Sequence, residues 1–248
     1  MPTVLLTGAA RGLGAALAQR FAMAGWRVLA TCRNPHDAAE LDQVLAELPT
    51  VANVGSIVKM ALDVSDFTAI EKLSQALRNE PIDVLLSNAA HTGGASGEFG
   101  RTDYAAWDRY HRVNSQAPMK LAESFVEQVA ASERRIIFAV SSRVGPKPSF
   151  GFVGYRASKS ALNQVVLQLS LALSSRGITC ACAHPGWVQT RATGHQGALS
   201  ARQSAALLFT VINQLEMSQT GGFFDPDGSR LPIVTQQLMV RDYAKTNP

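Results

Sequence analysis

Two side chains in the second half of the chain have the types and the spacing that proton transfer requires. Tyr155 and Lys159 are four residues apart in a stretch of helical periodicity, so both side chains lie on one face of the helix. A free tyrosine titrates at about pH 10, which is too high for ready proton exchange at neutral pH. An ammonium group nearby stabilises the phenolate and lowers the pKa of the phenol. The pair therefore predicts acid–base chemistry at Tyr155.

A pair of serines precedes this helix and adds a third functional group. Ser141 and Ser142 end an apolar, strand-like run, and a loop rich in glycine and proline connects them to Tyr155. A hydroxyl presented by Ser142 at a strand end can donate a hydrogen bond to an oxygen on which charge changes during a reaction. Many helices contain a Tyr-x-x-x-Lys pair by chance, but its position after a Ser-Ser strand end favours a catalytic site.

The first apolar run of the chain ends in a glycine-rich turn that leads directly into a helical stretch. The glycines are Gly8, Gly12 and Gly14, with Arg11 and Leu13 between them. Glycines allow the backbone to turn tightly and to approach a pyrophosphate, and a helix N-terminus supplies free N–H groups and a positive dipole. Glycine also forms plain strand-to-helix turns, and the spacing differs from the commoner Gly-x-Gly-x-x-Gly. Its position after the first strand favours a dinucleotide site.

The end of the second predicted strand distinguishes NAD from NADP. A carboxylate at this point binds the ribose hydroxyls of the adenosine and repels a 2′-phosphate. Residues 30–34 contain no carboxylate, and Arg33 among them can bind a phosphate with two parallel hydrogen bonds. Arg11, in the glycine-rich turn, can reach the same phosphate. Most arginines are merely solvated, but these two positions together with the missing acid predict NADP(H) as the cofactor.

Two further strand ends carry candidate cofactor contacts, each with a structural alternative. Asp63 and Val64 follow the third predicted strand. Asp63 either accepts a hydrogen bond from the adenine amine or caps the helix that begins near Asp66. Asn88 and Ala89 follow the fourth strand, beside the glycine loop. The Asn88 amide either joins adjacent strand ends, which is the favoured role, or contacts the cofactor.

These residues require a scaffold that brings several strand ends together. Short apolar runs predict strands at residues 4–7, 27–31, 57–62, 84–87, 135–140, 178–183 and 222–224. Longer amphipathic stretches predict helices at residues 12–24, 36–48, 66–78, 104–131, 155–175 and 201–216. Unbroken apolar strands are typical of parallel sheets that are covered on both faces, and strand–helix–strand units cross over with a right hand. We therefore predict an α/β, Rossmann-type, doubly wound parallel sheet flanked by helices on both faces.

The same pattern predicts one domain over residues 1–248, with residues 230–248 running over the surface. In such sheets, ligands bind beyond the carboxyl ends of the strands. The glycine loop, the strand ends with Arg33, Asp63 and Asn88, and the Ser141-Ser142 pair all lie at that edge.

The composition narrows the classes of partner. The chain has 248 residues, of which 46% are hydrophobic and 17% are charged, so a large core is expected. The net charge is only +4 and the basic residues are scattered, which argues against a nucleic-acid or membrane partner. Three cysteines in apolar runs, without metal-ligand spacing, are expected to be small buried side chains. The first residues enter a strand pattern at once, so we expect no signal peptide, no membrane span and a cytoplasmic location.

Taken together, the motifs resemble the short-chain dehydrogenase/reductase family over residues 7–228. The matching pieces are Thr7-Gly8-xxx-Gly12-x-Gly14, Asp63-Val64, Ser87-Asn88-Ala89-Ala90, Val113-Asn114, Ser141-Ser142, Tyr155-xxx-Lys159 and Pro185-Gly186. The resemblance implies hydride transfer between NADP(H) and a small carbonyl or alcohol substrate. It also implies a homodimer or homotetramer, because the helices that carry Asn114 and Tyr155 often pair across a two-fold axis in this family.

The resemblance assigns a role to each catalytic candidate. Tyr155 is the general acid in reduction and the base in oxidation, and Ser142 orients the carbonyl. Lys159 lowers the pKa of Tyr155 and binds the nicotinamide ribose, and Asn114 holds a water that links Lys159 to a proton relay. The cofactor contacts implied after the sixth strand are Pro185, Gly186, Val188 and Thr190.

One position departs from the family pattern. The family usually has Asn-Asn-Ala-Gly after the fourth strand, and this chain has Ala90 in place of the glycine. The extra methyl group is expected to alter the position or affinity of the cofactor. Residues 30–35, 155–159 and 184–190 resemble the C-factor and sniffer-like carbonyl reductase branch. That likeness raises an alternative, a dinucleotide-binding regulatory or signalling protein with incidental turnover.

The substrate pocket is the part about which the sequence says least. By the same resemblance, residues 184 to about 199, after the sixth strand, are expected to fold over the substrate as a lid, and because this segment is short and polar we expect an open site. Phe150, Phe152 and Trp187 either line an apolar pocket or pack against the lid or a partner chain. His91 either contacts the substrate or caps the following turn.

Overall fold

The computed structural model describes residues 1–93, 100–145 and 153–233. Within these ranges, eight strands form one sheet in the order β3-β2-β1-β4-β5-β6-β7-β8. The strands are β1 Thr3–Thr7, β2 Arg27–Cys32, β3 Ser56–Ala61, β4 Val84–Ser87, β5 Ile136–Val140, β6 Thr179–Ala183, β7 Phe223–Phe224 and β8 Arg230–Leu231. All neighbouring strands are parallel except β7 and β8. From β1 the chain adds strands first on one side of the sheet, β2 and β3, and then from β4 onward on the other side. In such sheets a ligand crevice opens at this switch point, between β1 and β4.

Helices cover both faces of the sheet. The α-helices of the described residues are α1 Gly12–Met23, α2 Ala39–Glu47, α3 Phe67–Ala76, α4 Tyr104–His111, α5 Ala117–Ala130, α6 Val153–Leu173 and α7 Ala201–Asn213. None of them is both long enough and apolar enough to cross a membrane. The predicted α/β fold, a mostly parallel sheet between two helical layers, is confirmed.

Two apolar cores on opposite faces hold the sheet between its helices. Leu6 belongs to the core under α1 and α7, whereas its neighbour Leu5 belongs to the core under α3 and α5. Successive strand side chains point to opposite faces, so a strand with helices on both sides must be apolar at every position. In the first core, Phe21 packs edge-on against Trp26 and Phe209, with ring centres 5.1 Å and 4.9 Å away.

The stretch predicted as one helix over residues 104–131 is interrupted. The α4 helix ends at His111, a π-helical turn covers Arg112–Gln116, and α5 begins at Ala117. Two local features favour the change in winding. The hydroxyl of Ser115 donates to the His111 carbonyl at 3.0 Å, and Pro118 has no N–H to continue the α-helical pattern. The π turn contains Asn114, one of the catalytic candidates, and π turns are frequent at functional sites.

A second correction concerns the surface-running segment predicted over residues 230–248. Arg230–Leu231 instead forms β8, which pairs with β7 in an antiparallel hairpin. The connecting turn closes through a hydrogen bond of 2.9 Å from the Gly228 N–H to the Asp225 carbonyl, and Gly228 has a φ of +85°. Glycine adopts this conformation without strain. Residues 234–248 lie outside the described residues, so the extent of the domain over 1–248 stays a prediction.

Candidate active site

The hydroxyl groups of Tyr155 and Ser142 meet beyond the carboxyl end of β5. Ser142 follows that strand by two residues, and α6 brings Tyr155 to it from the other side. A side-chain hydrogen bond joins the two residues. Ser142 is buried and Tyr155 is half-buried, and the Ser142 Oγ also accepts from the Val144 N–H at 3.3 Å. The two candidates that the sequence placed near each other are in contact.

Lys159 lies one helical turn after Tyr155 and is almost completely buried, with 2% of its surface exposed. Its Nζ donates a hydrogen bond of 2.9 Å to the Val140 carbonyl, and it lies 5.9 Å from the centre of the Tyr155 ring. Burial lowers the pKa of Lys159 to about 8, because the low-dielectric interior disfavours its charged form. The ammonium group is thus held beneath the Tyr155 ring by its hydrogen bond to Val140, the last residue of β5.

The expected lowering of the Tyr155 pKa is contradicted. Burial raises the pKa of Tyr155 above its ordinary value, and the phenol of Tyr110 adds to the rise. The hydrogen bond from Ser142 acts in the opposite direction without reversing the shift. The charge of Lys159 is visible in the sequence, whereas the loss of hydration, which is the larger effect on the pKa of Tyr155, depends on burial in the fold. Tyr155 is therefore protonated at neutral pH.

Asn114 connects the loop after β4 to α6 through both polar atoms of its side chain. The residue is 1% exposed, and its Oδ1 accepts from the His91 N–H at 2.7 Å. Its Nδ2 donates to the His91 carbonyl and to the Ser158 Oγ, each at 3.0 Å. The side chain is therefore committed to holding the loop. The main-chain carbonyl of Asn114, in contrast, loses its α-helical donor because residue 118 is proline.

The ring of Tyr110 contacts both His91 and Tyr155, an arrangement that the sequence did not indicate. The His91 ring lies 5.0 Å from that of Tyr110, which meets the Tyr155 ring edge-on at 6.1 Å. Burial lowers the pKa of His91, and the charges of Arg109 and Arg33 lower it further, so the imidazole is neutral. The imidazole also makes a hydrogen bond with the backbone of Gly93, which raises its pKa slightly and agrees with the cap role expected for His91, while the main chain of His91 is clamped by Asn114. The signals in the sequence were His91, already a candidate at the pocket, and Tyr110, which precedes Asn114 by one helical turn.

The glycine loop packs directly against the end of β4. A Cβ atom on Gly8 would lie 2.8 Å from the Cα of Ala89, and one on Gly14 would lie 2.0 Å from the Gly8 carbonyl oxygen. Any larger residue would push these backbones apart. The Asn88 Nδ2 donates to the carbonyls of Thr7 and Gly8 at 3.0 Å and 3.2 Å. The favoured role of Asn88, joining adjacent strand ends, is what the geometry displays.

The first turn of α1 binds a carboxylate from another helix. Arg11 occupies the N-cap position without a side-chain cap, and the Gly12 N–H donates to the Glu40 Oε2 at 2.6 Å. Leu13, next in the turn, packs partly into the core. A carboxylate oxygen and a phosphate oxygen both accept a hydrogen bond from a free N–H group. A turn that binds one can therefore bind the other, so this turn fits the phosphates of a dinucleotide. The sequence did not reveal the contact with Glu40.

The remaining cofactor candidates lie around the same crevice. Arg11 and Arg33 are both exposed, and so is Ala90, whose effect on the cofactor stays a prediction. Asp63 is exposed and accepts from the N–H and the hydroxyl of Ser65 at 2.9 Å and 2.7 Å. The helix cap is Asp66 rather than Asp63, through the Ala69 N–H at 3.1 Å, and Val64 is buried.

The lid extends from the end of β6 to the glycine loop. It begins with Pro185, whose carbonyl accepts from the Ser204 hydroxyl at 2.6 Å, and Gly186 follows against Leu199. Val188 is buried, and Thr190 lies near the first turn of α1, 3.5 Å from where a Cβ on Gly12 would be. Trp187 is 58% exposed at the lid surface. Phe150 and Phe152 lie outside the described residues.

Comparison with known proteins identifies the family. The short chain dehydrogenase family profile matches residues 2–199. The C-signal protein of Myxococcus xanthus is 34% identical over 158 residues, which is 61% of this chain and 93% of that protein. The Sniffer carbonyl reductase of D. melanogaster is 27% identical, with a TM-score of 0.80 over 93% of this chain and 99% of that one.

A third similar protein was solved with its cofactor. It is a putative short-chain dehydrogenase/reductase from Burkholderia multivorans with bound NADP, 26% identical, with a TM-score of 0.80 over 92% of this chain and 98% of that one. The profile match spans both the glycine loop and the Ser142–Tyr155–Lys159 cluster. The chain therefore belongs to the short-chain dehydrogenase/reductase family of oxidoreductases.

Proposed function

We propose that the protein is an NADP(H)-dependent carbonyl reductase that converts a ketone or an aldehyde into an alcohol. The observation that carries the proposal is the convergence of three groups at the carboxyl edge of the sheet. The Ser142 hydroxyl contacts the Tyr155 phenol, and the Lys159 ammonium lies beneath the same ring. The reduction of a carbonyl requires a proton donor, a second hydrogen-bond donor and a positive charge around one point.

The chain's own residues can carry the proton chemistry. The raised pKa keeps Tyr155 protonated at neutral pH, which is the form that donates in the direction of reduction. As charge develops on the substrate oxygen, the Ser142 hydroxyl donates a hydrogen bond to it and the phenol transfers its proton. The phenolate that remains is stabilised by Lys159, whose pKa of about 8 leaves it mostly charged at pH 7.

The cofactor supplies hydride for the carbonyl carbon when it is bound. Residues that would hold its phosphates are Gly8, Gly12 and the first turn of α1. Arg11 and Arg33, with no carboxylate at the end of β2, support NADP rather than NAD. The Burkholderia multivorans relative with bound NADP adds support from within the family.

Asn114 has a supporting role in the proposed reaction. Its side chain holds the β4 loop, and its main-chain carbonyl, without an α-helical donor, is suited to bind a water. Such a water could pass a proton to Lys159 after Tyr155 has donated. We therefore assign the water of the expected proton relay to the main-chain carbonyl of Asn114, because the side-chain amide is already hydrogen-bonded.

Steady-state turnover tests the proposal. Purified protein is assayed for NADPH and NADH oxidation with a panel of ketones, aldehydes and quinones. We expect NADPH-preferring reduction, and a decrease in kcat/KM of about 10²- to 10⁴-fold for Tyr155→Phe, since general acid catalysis contributes that much. Tyr104→Phe is the matched control, because Tyr104 is 73% exposed on α4. Turnover that survives in Tyr155→Phe would refute the assigned acid.

The likeness to the C-signal protein of Myxococcus xanthus favours one alternative function. In that case the protein binds NADP(H) as a regulatory or signalling protein, and turnover is incidental. Tight NADPH binding without turnover on a broad panel would favour this alternative. So would a biological effect that persists in the Tyr155→Phe variant while the variant still binds NADPH.

We also propose that the protein assembles as a homodimer or homotetramer. Large apolar side chains are exposed on α4 and α6, where Tyr104 is 73% and Leu171 is 66% exposed. Covering such side chains removes apolar surface from water. Sedimentation analysis of the purified protein gives the mass directly, and a monomer at micromolar concentration would contradict this assignment.

A further inference from the structure

The carboxylate of Glu40, a residue of α2, accepts a hydrogen bond at the start of α1, which is distant from it in the sequence. Its Oε2 accepts from the Gly12 N–H at 2.6 Å, across 28 residues. Gly12 is the first residue of α1 and the middle glycine of the phosphate loop. The side chain of Glu40 thus occupies a hydrogen-bond donor in the region assigned to the nucleotide phosphates.

The first turn of α1 has no anionic group of its own. Arg11 is the N-cap residue and makes no side-chain cap, and the first turn contains no acidic residue. The free N–H groups at a helix start favour an acceptor, and a negative charge best of all. Glu40 meets part of this demand, whereas Asp66 and Asp103 cap α3 and α4 from their own N-cap positions.

Glu40 is presented by an anchored helix. Leu41, next to it, is buried in the core under α1 and α7, and Val44, one turn on, is also buried. Asp42, two residues away, forms an ion pair of 2.5 Å with Lys59 of β3, and Lys59 also donates to the Pro35 carbonyl at 2.8 Å. The backbone of α2 is therefore held, and the long side chain of Glu40 is the part that can move.

We propose that Glu40 is a specificity-determining residue of the cofactor site. Its carboxylate competes with the nucleotide for the start of α1 and weakens the binding of NADPH more than that of NADH. The inference rests on the proposed function, because it places the 2′-phosphate beside Arg11 and Arg33. At neutral pH a 2′-phosphate adds about one to two negative charges. These charges repel the Glu40 carboxylate, which is hydrogen-bonded to Gly12, the residue after Arg11.

Direct binding measurements test the assignment without any need for turnover. NADPH and NADH are titrated by isothermal calorimetry into the wild-type protein, Glu40→Gln and Glu47→Gln. Glutamine retains an acceptor for the Gly12 N–H and removes the charge, so the fold is retained. Glu47 is the matched control, because it lies on the same helix but pairs with Arg202 at 3.1 Å.

We expect Glu40→Gln to bind NADPH about fivefold more tightly, with a smaller change for NADH, since an exposed charge pair contributes up to about that factor. Glu47→Gln should bind both as the wild-type protein does. Unchanged NADPH affinity in Glu40→Gln, or equal tightening for both nucleotides, would overturn the inference and leave the reductase proposal standing. A wild-type protein that binds neither nucleotide would instead overturn the proposed function.

Discussion

The ammonium group of Lys159 donates to the Val140 carbonyl at 2.9 Å, and it stands 5.9 Å from the centre of the Tyr155 ring. The lysine is therefore held by the end of β5 rather than by the phenol that it serves. At this separation its charge does not outweigh the loss of hydration around Tyr155, whose pKa is raised. The lysine is kept below the phenol in a position to stabilise the phenolate once the proton has left.

The buried charge of Lys159 predicts a pH dependence of stability. Its pKa is lowered from 10.5 to about 8 in the folded protein, so the unfolded chain binds more protons between these values. The free energy of unfolding of the wild-type protein should therefore rise relative to that of Lys159→Met as the pH increases from about 8 to 10.5. Urea denaturation at several pH values measures the difference, and a constant difference would contradict the burial of a charged lysine.

Replacing Ser142 should change the ionisation of Tyr155 as well as the rate. The hydrogen bond from Ser142 lowers the pKa of Tyr155, so Ser142→Ala should raise that pKa further. In the oxidation direction, which needs the phenolate, the rise of kcat/KM with pH should move to higher pH. The loss of a donor to the substrate oxygen should also decrease kcat by about 10²-fold. A pH profile identical to that of the wild-type protein would remove Ser142 from the ionisation of Tyr155.

The Tyr110 hydroxyl provides a contrasting substitution close to the same site. It is buried, and no hydrogen-bond partner is found for it in the described structure. Tyr110→Phe removes this unsatisfied group and keeps the ring that packs against Tyr155 and His91. We expect the free energy of unfolding to increase by about 1 kcal/mol. A decrease in stability, measured by urea denaturation, would indicate a hydrogen bond made by that hydroxyl.

The preference for NADP should depend on Arg33. Arg33→Asp removes a cation that can bind a phosphate and places a carboxylate where NAD-dependent proteins bind ribose hydroxyls. The Kd for NADPH should increase by about 10-fold or more, while that for NADH should change little. Calorimetric titration of both nucleotides gives the ratio. Equal weakening of both would mean that Arg33 does not contact the 2′-phosphate.

Local patterns in the sequence were enough for strands β1 to β7, their parallel arrangement and the order of the catalytic motifs, but not for the antiparallel strand β8. Alternation of apolar runs and amphipathic stretches is a property of neighbouring residues, and so are a glycine turn and a Tyr-x-x-x-Lys pair. Ser142, Tyr155 and Lys159 converge as predicted because the carboxyl ends of parallel strands share one edge. The same rule brings the glycine loop and Asn88 together.

Only the tertiary structure decided the features that depend on contacts between distant segments. The bond from Gly12 to Glu40 joins two helices, and the approach of Tyr110 to Tyr155 depends on how α4 packs on α6. The raised pKa of Tyr155 results from burial, which is a sum over everything that excludes water from the phenol. A sequence pattern describes which groups are near along the chain, whereas hydration and long-range contacts depend on how the layers close around them.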